Sequence, residues 1–109
     1  MRAARLRRSR DIAAVRSEGR SVRRAAFNAR VRRSAQSVTR IAVTAPRMIG
    51  SAVVRSRARR RVREAFRREL AAAAPAGVDI LVTVRPEAVS SPFTSLVADA
   101  ESVLREARG

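Results

Sequence analysis

A single uninterrupted helix signal occupies the middle of this chain, and the rest of the fold has to be arranged around it. Gly50-Ser51 opens it with Ser51 as the cap, and Pro75-Ala76-Gly77 closes it, so that Ala52 to about Ala73 is helical. At about 100° per residue, Val54, Ala58, Val62, Ala65 and Phe66 form one apolar stripe. Opposite it stand Ser56, Arg60, Arg63 and Arg67; Arg57, Arg61 and Arg68 flank that face, and only Glu64 interrupts it. Arg55 and Arg59 fall near the edge of the apolar stripe, where their stems cover the core and their heads swing outward.

The flanks read as strands and shorter helices. Leu6 to Arg16 forms a short helix with Ser9 as N-cap, Asp11 at the positive end and Gly19 as the stop. From Ala25 to Val31 the chain alternates strictly, with Ala25, Phe27, Ala29 and Val31 on one face and Asn28, Arg30 and Arg32 on the other. After the polar turn Ser34–Ser37, Val38 to Ala45 alternates again with Ile41 and Val43 inward. Pro46 ends that strand, and Arg47-Met48-Ile49 is a candidate for a short further pairing segment. Val78 to Arg85 is the next strand; Leu81 breaks its alternation, which predicts cover on both faces. A last helix begins at Pro92 behind Ser91, with Phe93, Leu96, Val97, Ala100, Val103, Leu104 and Ala107 as its core stripe. The expected order is α-β-β-(β)-α-β-α, a single α+β domain over residues 1–109 with a small sheet packed against helices.

Composition narrows what such a domain does. There is neither Cys nor His, which excludes disulfides, thiolate nucleophiles, imidazole bases and Cys/His zinc sites. The nine carboxylates are scattered, with no dyad on a shared face. No apolar run approaches the roughly 18 residues that span a bilayer, and the basic N-terminus lacks an apolar signal core; the expectation is a soluble cytoplasmic protein without a membrane role. The net charge is +16, and all 25 basic residues are Arg. GC-rich coding accounts for Arg in place of Lys but not for the excess of base over acid. Residues 1–74 hold 22 arginines against four carboxylates, a net of +18, whereas residues 75–109 hold three against five, a net of −2. The guanidinium fork binds phosphate through two hydrogen bonds and stacks on bases, so the first two-thirds of the chain point to nucleic acid.

Like charges three and four residues apart destabilise an isolated helix, so the central cluster calls for a polyanion. A merely solvated face would mix signs. A helix lying on lipid would carry Trp, Leu or Ile bulk. A nucleoid-type DNA binder would show dimer-forming heptads or a helix-turn-helix pair, and neither is present. An RNA scaffold of ribosomal-protein or assembly-factor type remains an alternative on these grounds.

The run Ile49-Gly50-Ser51-Ala52-Val53-Val54-Arg55-Ser56-Arg57-Ala58-Arg59-Arg60-Arg61-Val62-Arg63-Glu64 resembles the signature of the bacterial ribonuclease P protein family, an Arg-Asn-Arg core followed by basic residues at fixed steps. Arg5-Leu6-Arg7-Arg8 leading to Asp11, Arg40-Ile41-Ala42-Val43, and Val78-Asp79-Ile80 through Arg85-Pro86 resemble the family's opening, second strand and late strand. The resemblance implies two parallel strands joined by a left-handed crossover through the Arg-rich helix. It implies that Arg55, Ser56, Arg57, Arg59, Arg60, Arg63 and Arg67 face a catalytic RNA subunit, and that a cleft between the first helix and the sheet holds the 5′ leader of precursor tRNA. The RNA subunit and the Mg²⁺ it binds would carry the hydrolysis, with no catalytic residue on the protein and no protein partner required. This chain departs from the pattern in three places. Ser56 stands where the core has Asn, Met48 replaces one of the basic pair before the glycine, and Ile12, Arg16 and Arg30 stand where the cleft is usually aromatic.

Overall fold

The computed structural model describes residues 4–73 and 75–108. In chain order the elements are β1 (Ala4–Arg5), α1 (Ser9–Glu18), β2 (Arg20–Arg23), β3 (Phe27–Arg33), β4 (Arg40–Thr44), a 3-10 turn (Arg47–Ile49), α2 (Ala52–Ala73), β5 (Val78–Val84), a second 3-10 turn (Pro86–Val89) and α3 (Phe93–Arg108). The five strands form one mixed sheet in the order β1-β4-β5-β3-β2, with β4 parallel to β1 and β5, and β3 antiparallel to β5 and β2. Helix α2 is the crossover that joins parallel β4 and β5, as a parallel pair requires.

The period-two alternation of the strands sorts their side chains to opposite faces. Phe27, Ala29, Val31, Val43, Ile80, Val82 and Val84 point to one face and pack with Ala58, Val62, Phe66 and Leu70 of α2 and Leu96, Ala100 and Leu104 of α3. Phe27 and Phe66 meet with ring centroids 5.2 Å apart, tilted by 57°, a favourable aromatic arrangement. On the other face Leu6, Val15 and Leu81 make a smaller buried cluster, with Ile12 and Ala42 against it. Leu81 is therefore covered by α1 while its neighbours Ile80 and Val82 are covered by α2 and α3, which is why β5 reads as an almost continuous apolar run.

Local chemistry sets the boundaries. The Val54 amide donates to the Ser51 hydroxyl at 3.3 Å, so Ser51 caps α2 as its position suggests. Gly77 has φ +63° after α2, and its carbonyl and amide bond Ser34 and Ser37 of the β3–β4 turn; a side chain there would collide with the Gln36 carbonyl. Four expectations change. Leu6 lies before α1 and is buried under it rather than forming its first turn, and Ser9 is its first helical residue rather than its cap. Ala25 sits in an exposed turn ahead of β3. Arg47–Ile49 forms a 3-10 turn between Pro46 and Gly50 instead of a pairing segment. The additional strands are instead β1 and β2, which carry too few apolar residues to show a period. Among the described residues no helix is long and apolar enough to cross a membrane.

Candidate nucleic-acid interface

Helix α2 lies on the sheet by its apolar stripe, and tertiary contacts divide its arginines into three groups. The outward group contains Ser56, Arg57 and Arg60, which with Ala52 and Val53 line a shallow depression; Arg57 and Arg60 are exposed. Arg67 also points outward, but Glu64 holds it. The Arg67 guanidinium donates to both Glu64 carboxylate oxygens, at 2.8 and 2.5 Å. That hydrogen bond raises Arg67 above its ordinary pKa and, together with the charges of Arg67 and Arg68, outweighs desolvation to hold Glu64 below the usual carboxylate range.

The second group serves the fold. Arg61 donates to the Ala88 carbonyl at 2.7 Å and the Ser91 carbonyl at 2.6 Å, satisfying the loop that leads into α3. Arg68 places its guanidinium 5.1 Å over the Phe93 ring. The third group turns the other way, toward β1. Arg63 is half-buried beside Arg5, so it does not stand opposite the apolar stripe as its helical angle suggests. The helix is not centred on its stripe, because the segment carrying Arg5 to Arg7 rises along that flank. Burial, followed by the positive charges of Arg5 and Arg59, lowers the Arg63 pKa. Arg59 donates to the Ser56 hydroxyl at 3.3 Å. Arg55 is half-buried in the first turns of the helix.

The expected leader residues lie on the opposite sheet face. Asp11 and Glu18 of α1 pair with Arg40 and Arg32, which share one cross-strand row through Asp79. Gly19 accepts from Arg30 at 2.8 Å in the next row. This orientation puts Ile12 and Arg16 on the side of α1 that faces a further row, Thr44–Thr83–Asn28–Arg23. That row is wholly polar and at least partly exposed, so a polar, accessible strip of sheet runs beside α1. Of the three expected residues Arg16 is the exposed one without a side-chain partner among the described residues, whereas Ile12 is engaged with the small core and Arg30 is tied under the end of α1; Arg23 of the row is likewise exposed. The sequence assigned Asn28 to the outer strand face but gave no reason to connect it with Thr44 and Thr83, because their register exists only in the sheet.

The ribonuclease P family model matches residues 1–108. The chain belongs to the ribonuclease P protein family. It is 41% identical over 107 residues to the ribonuclease P protein component of Chloroflexus aurantiacus, covering 97% of this chain and 78% of that relative. The structure superimposes on the RNase P protein from Thermotoga maritima with a TM-score of 0.83 at 28% identity, covering 96% of this chain and 98% of that one. The Staphylococcus aureus RNase P protein shares the fold with a TM-score of 0.79 at 23% identity, covering 98% and 97%. The run that resembles the family's signature core, Arg55-Ser56-Arg57, lies in the first two turns of α2, shortly after the Ser51 cap.

Proposed function

We propose that this chain is the protein subunit that binds the ribonuclease P RNA and the 5′ leader of precursor tRNA, assisting removal of the leader to give the mature 5′ end. The observation that carries this reading is the arginine surface of α2, where Arg57 and Arg60 face solvent without a carboxylate partner among the described residues. Such a surface neutralises phosphates and releases their counterions on binding. The outward and β1-side arginines would hold the RNA subunit. A groove between α1 and the Thr44–Thr83–Asn28 row would take the leader, with Arg16 contacting its phosphates. Ile12 would line the wall, and Arg30 would act indirectly by fixing the end of α1.

The reading calls for Mg²⁺. Among the described residues no group of three or more carboxylates could hold a metal ion, and seven of the nine carboxylates, Asp11, Glu18, Glu64, Asp79, Glu87, Glu101 and Glu106, are engaged with arginine. The protein side chains do not fit that ion, so no step is assigned to them through it; the hydrolysis belongs to the RNA. What the protein supplies is fixed positive charge, which replaces part of the screening that free Mg²⁺ would otherwise provide.

Reconstitution with the cognate RNA subunit tests this. The protein should raise cleavage of precursor tRNA at low Mg²⁺ and cleave nothing alone. Mg²⁺-dependent cleavage by RNA-free protein would overturn the assignment.

A further inference from the structure

The two surfaces assigned to RNA lie on opposite faces of the sheet, and what connects them is the β1 edge. β1 is only two residues long and pairs with Arg40 and Ile41 of β4. The Thr39 and Ile41 carbonyls accept from Ala4 and Leu6, so by the alternation of a parallel ladder the Val43 amide faces the same edge beyond the last paired residue. A cavity of about 440 Å³ opens there. It is lined from both sides of the sheet, by Leu6 and Ala42 from the α1 face and by Ile41, Val43 and Arg63 from the α2 face, with Arg5 and Arg7 at its rim.

The charges around this cavity are of one sign. Arg5, Arg59 and Arg63 make no salt bridge among the described residues. Several other half-buried arginines have acceptors: Arg40 has Asp79 and Asp11, Arg61 has carbonyls, and Arg30 has Gly19. At this edge, half-buried Arg63 instead stands within the field of two other guanidinium groups, which lower its pKa further after burial. Holding these charges together without an anion is unfavourable, and the repulsion weakens only slowly at short range in a partly desolvated site.

We propose that the β1 edge is a phosphate-binding seam, in which Arg5 and Arg63 grip one phosphodiester group of RNA as the strand passes from the α2 surface to the α1 surface. The ligand is a phosphodiester and not a carboxylate or a metal, because planar guanidinium forks from two elements converge on an open cavity with no acidic residue lining it. Arg5 is thereby an RNA ligand outside the signature helix. Arg59 and Arg7 extend the field without being required for the grip. The inference rests on the RNA-binding reading given above.

The test is RNA-subunit affinity measured over a salt series with full-length wild type, Arg5→Gln, Arg5→Lys, Arg60→Gln and Arg105→Gln, each checked by thermal melting. Arg5→Gln should weaken binding about tenfold at low salt and flatten the log–log salt slope by about 0.7–0.9. It should melt at or above the wild-type temperature, since repulsion is relieved. Arg5→Lys should keep the slope while losing part of the affinity, because the charge remains and the fork does not. Arg105→Gln, on α3 and paired with Glu101, should match wild type. If Arg60→Gln weakens binding while Arg5→Gln leaves affinity and slope unchanged, the seam is refuted and the RNA-binding reading survives. If wild type shows no salt-dependent binding, that reading falls and the seam falls with it. A fall in melting temperature for Arg5→Gln without change in slope assigns Arg5 to the fold and also refutes the seam.

Discussion

Asp79 accepts two parallel hydrogen bonds from Arg40, at 2.8 Å from Nε and 2.7 Å from the terminal nitrogen, while only 1% of Asp79 is exposed. The remaining Arg40 nitrogen donates to Asp11 at 3.1 Å. One guanidinium therefore ties β4 to β5 and both to the first turn of α1, which forms the wall of the proposed leader groove. The hydrogen bond to Asp79 is the main cause of the raised Arg40 pKa, with burial opposing it.

Breaking that pair from one side leaves a buried carboxylate without a counter-charge. Arg40→Met should cost about 3–5 kcal/mol of unfolding free energy, and Arg40→Met with Asp79→Leu should recover much of it. Denaturant titration reads both; a loss under about 1 kcal/mol for the single variant would mean that water reaches Asp79. A raised folded-state pKa stabilises fully below the unfolded value and is lost only as pH rises through the folded one. For Arg40 that window lies above the ordinary arginine value, so the pair should add no pH dependence to stability between about pH 6 and pH 9.

Arg60 and Arg61 are neighbours in sequence with opposite employment. Arg61→Ala should lose about 1.5–3 kcal/mol, the scale of hydrogen bonds from a charged donor, and leave the salt slope of RNA binding unchanged. Arg60→Ala should do the reverse, flattening the slope by about 0.7–0.9 with no loss of stability. Equal slopes for the two variants would show that the carbonyl contacts of Arg61 give way to RNA.

Glu64 restrains the outward face by occupying Arg67. Glu64→Gln should tighten RNA binding at low salt, and the gain should vanish at high salt as the added charge is screened. Because the Glu64 pKa is lowered in the folded state, its contribution is present above the unfolded carboxylate value, about 4.3, and is lost as pH falls through the folded value. Acid titration of stability should therefore be flatter in the variant than in wild type. Identical acid limbs would exclude the pairing in solution.

Arg16 is exposed and makes no salt bridge among the described residues, so it is free to act on an anion in the proposed groove. Arg16→Ala should reduce the preference of the reconstituted complex for precursor over mature tRNA at low salt and change little at moderate salt, where phosphate contacts fade and stacking, worth roughly 1–3 kcal/mol per base, persists. Arg16→Tyr should replace a salt-sensitive preference with a salt-resistant one. A preference that neither substitution moves would place the leader elsewhere.

Periodicity and charge were enough to find α2, β3, β4, β5 and α3, because each buries one face and so repeats its apolar residues at 3.6 or 2. They also located the positive charge in the first two-thirds of the chain and, through Leu81, revealed that β5 is covered on both sides. β1 and β2 left no such trace: two and four residues long, they are edge strands held by backbone hydrogen bonds, which any side chain can accompany. The sequence could also count arginines but not assign them. Arg24 donates to Ser102 and Glu106, Arg30 to Gly19, Arg40 to Asp79 and Arg61 to the carbonyls before α3, so each is consumed by a partner far away along the chain. Arg57, Arg60, Arg5 and Arg63 are left without one among the described residues. Charge is a property of the residue, but whether it is available to a ligand depends on which acceptors the fold brings within hydrogen-bond reach, and only the tertiary structure decided that.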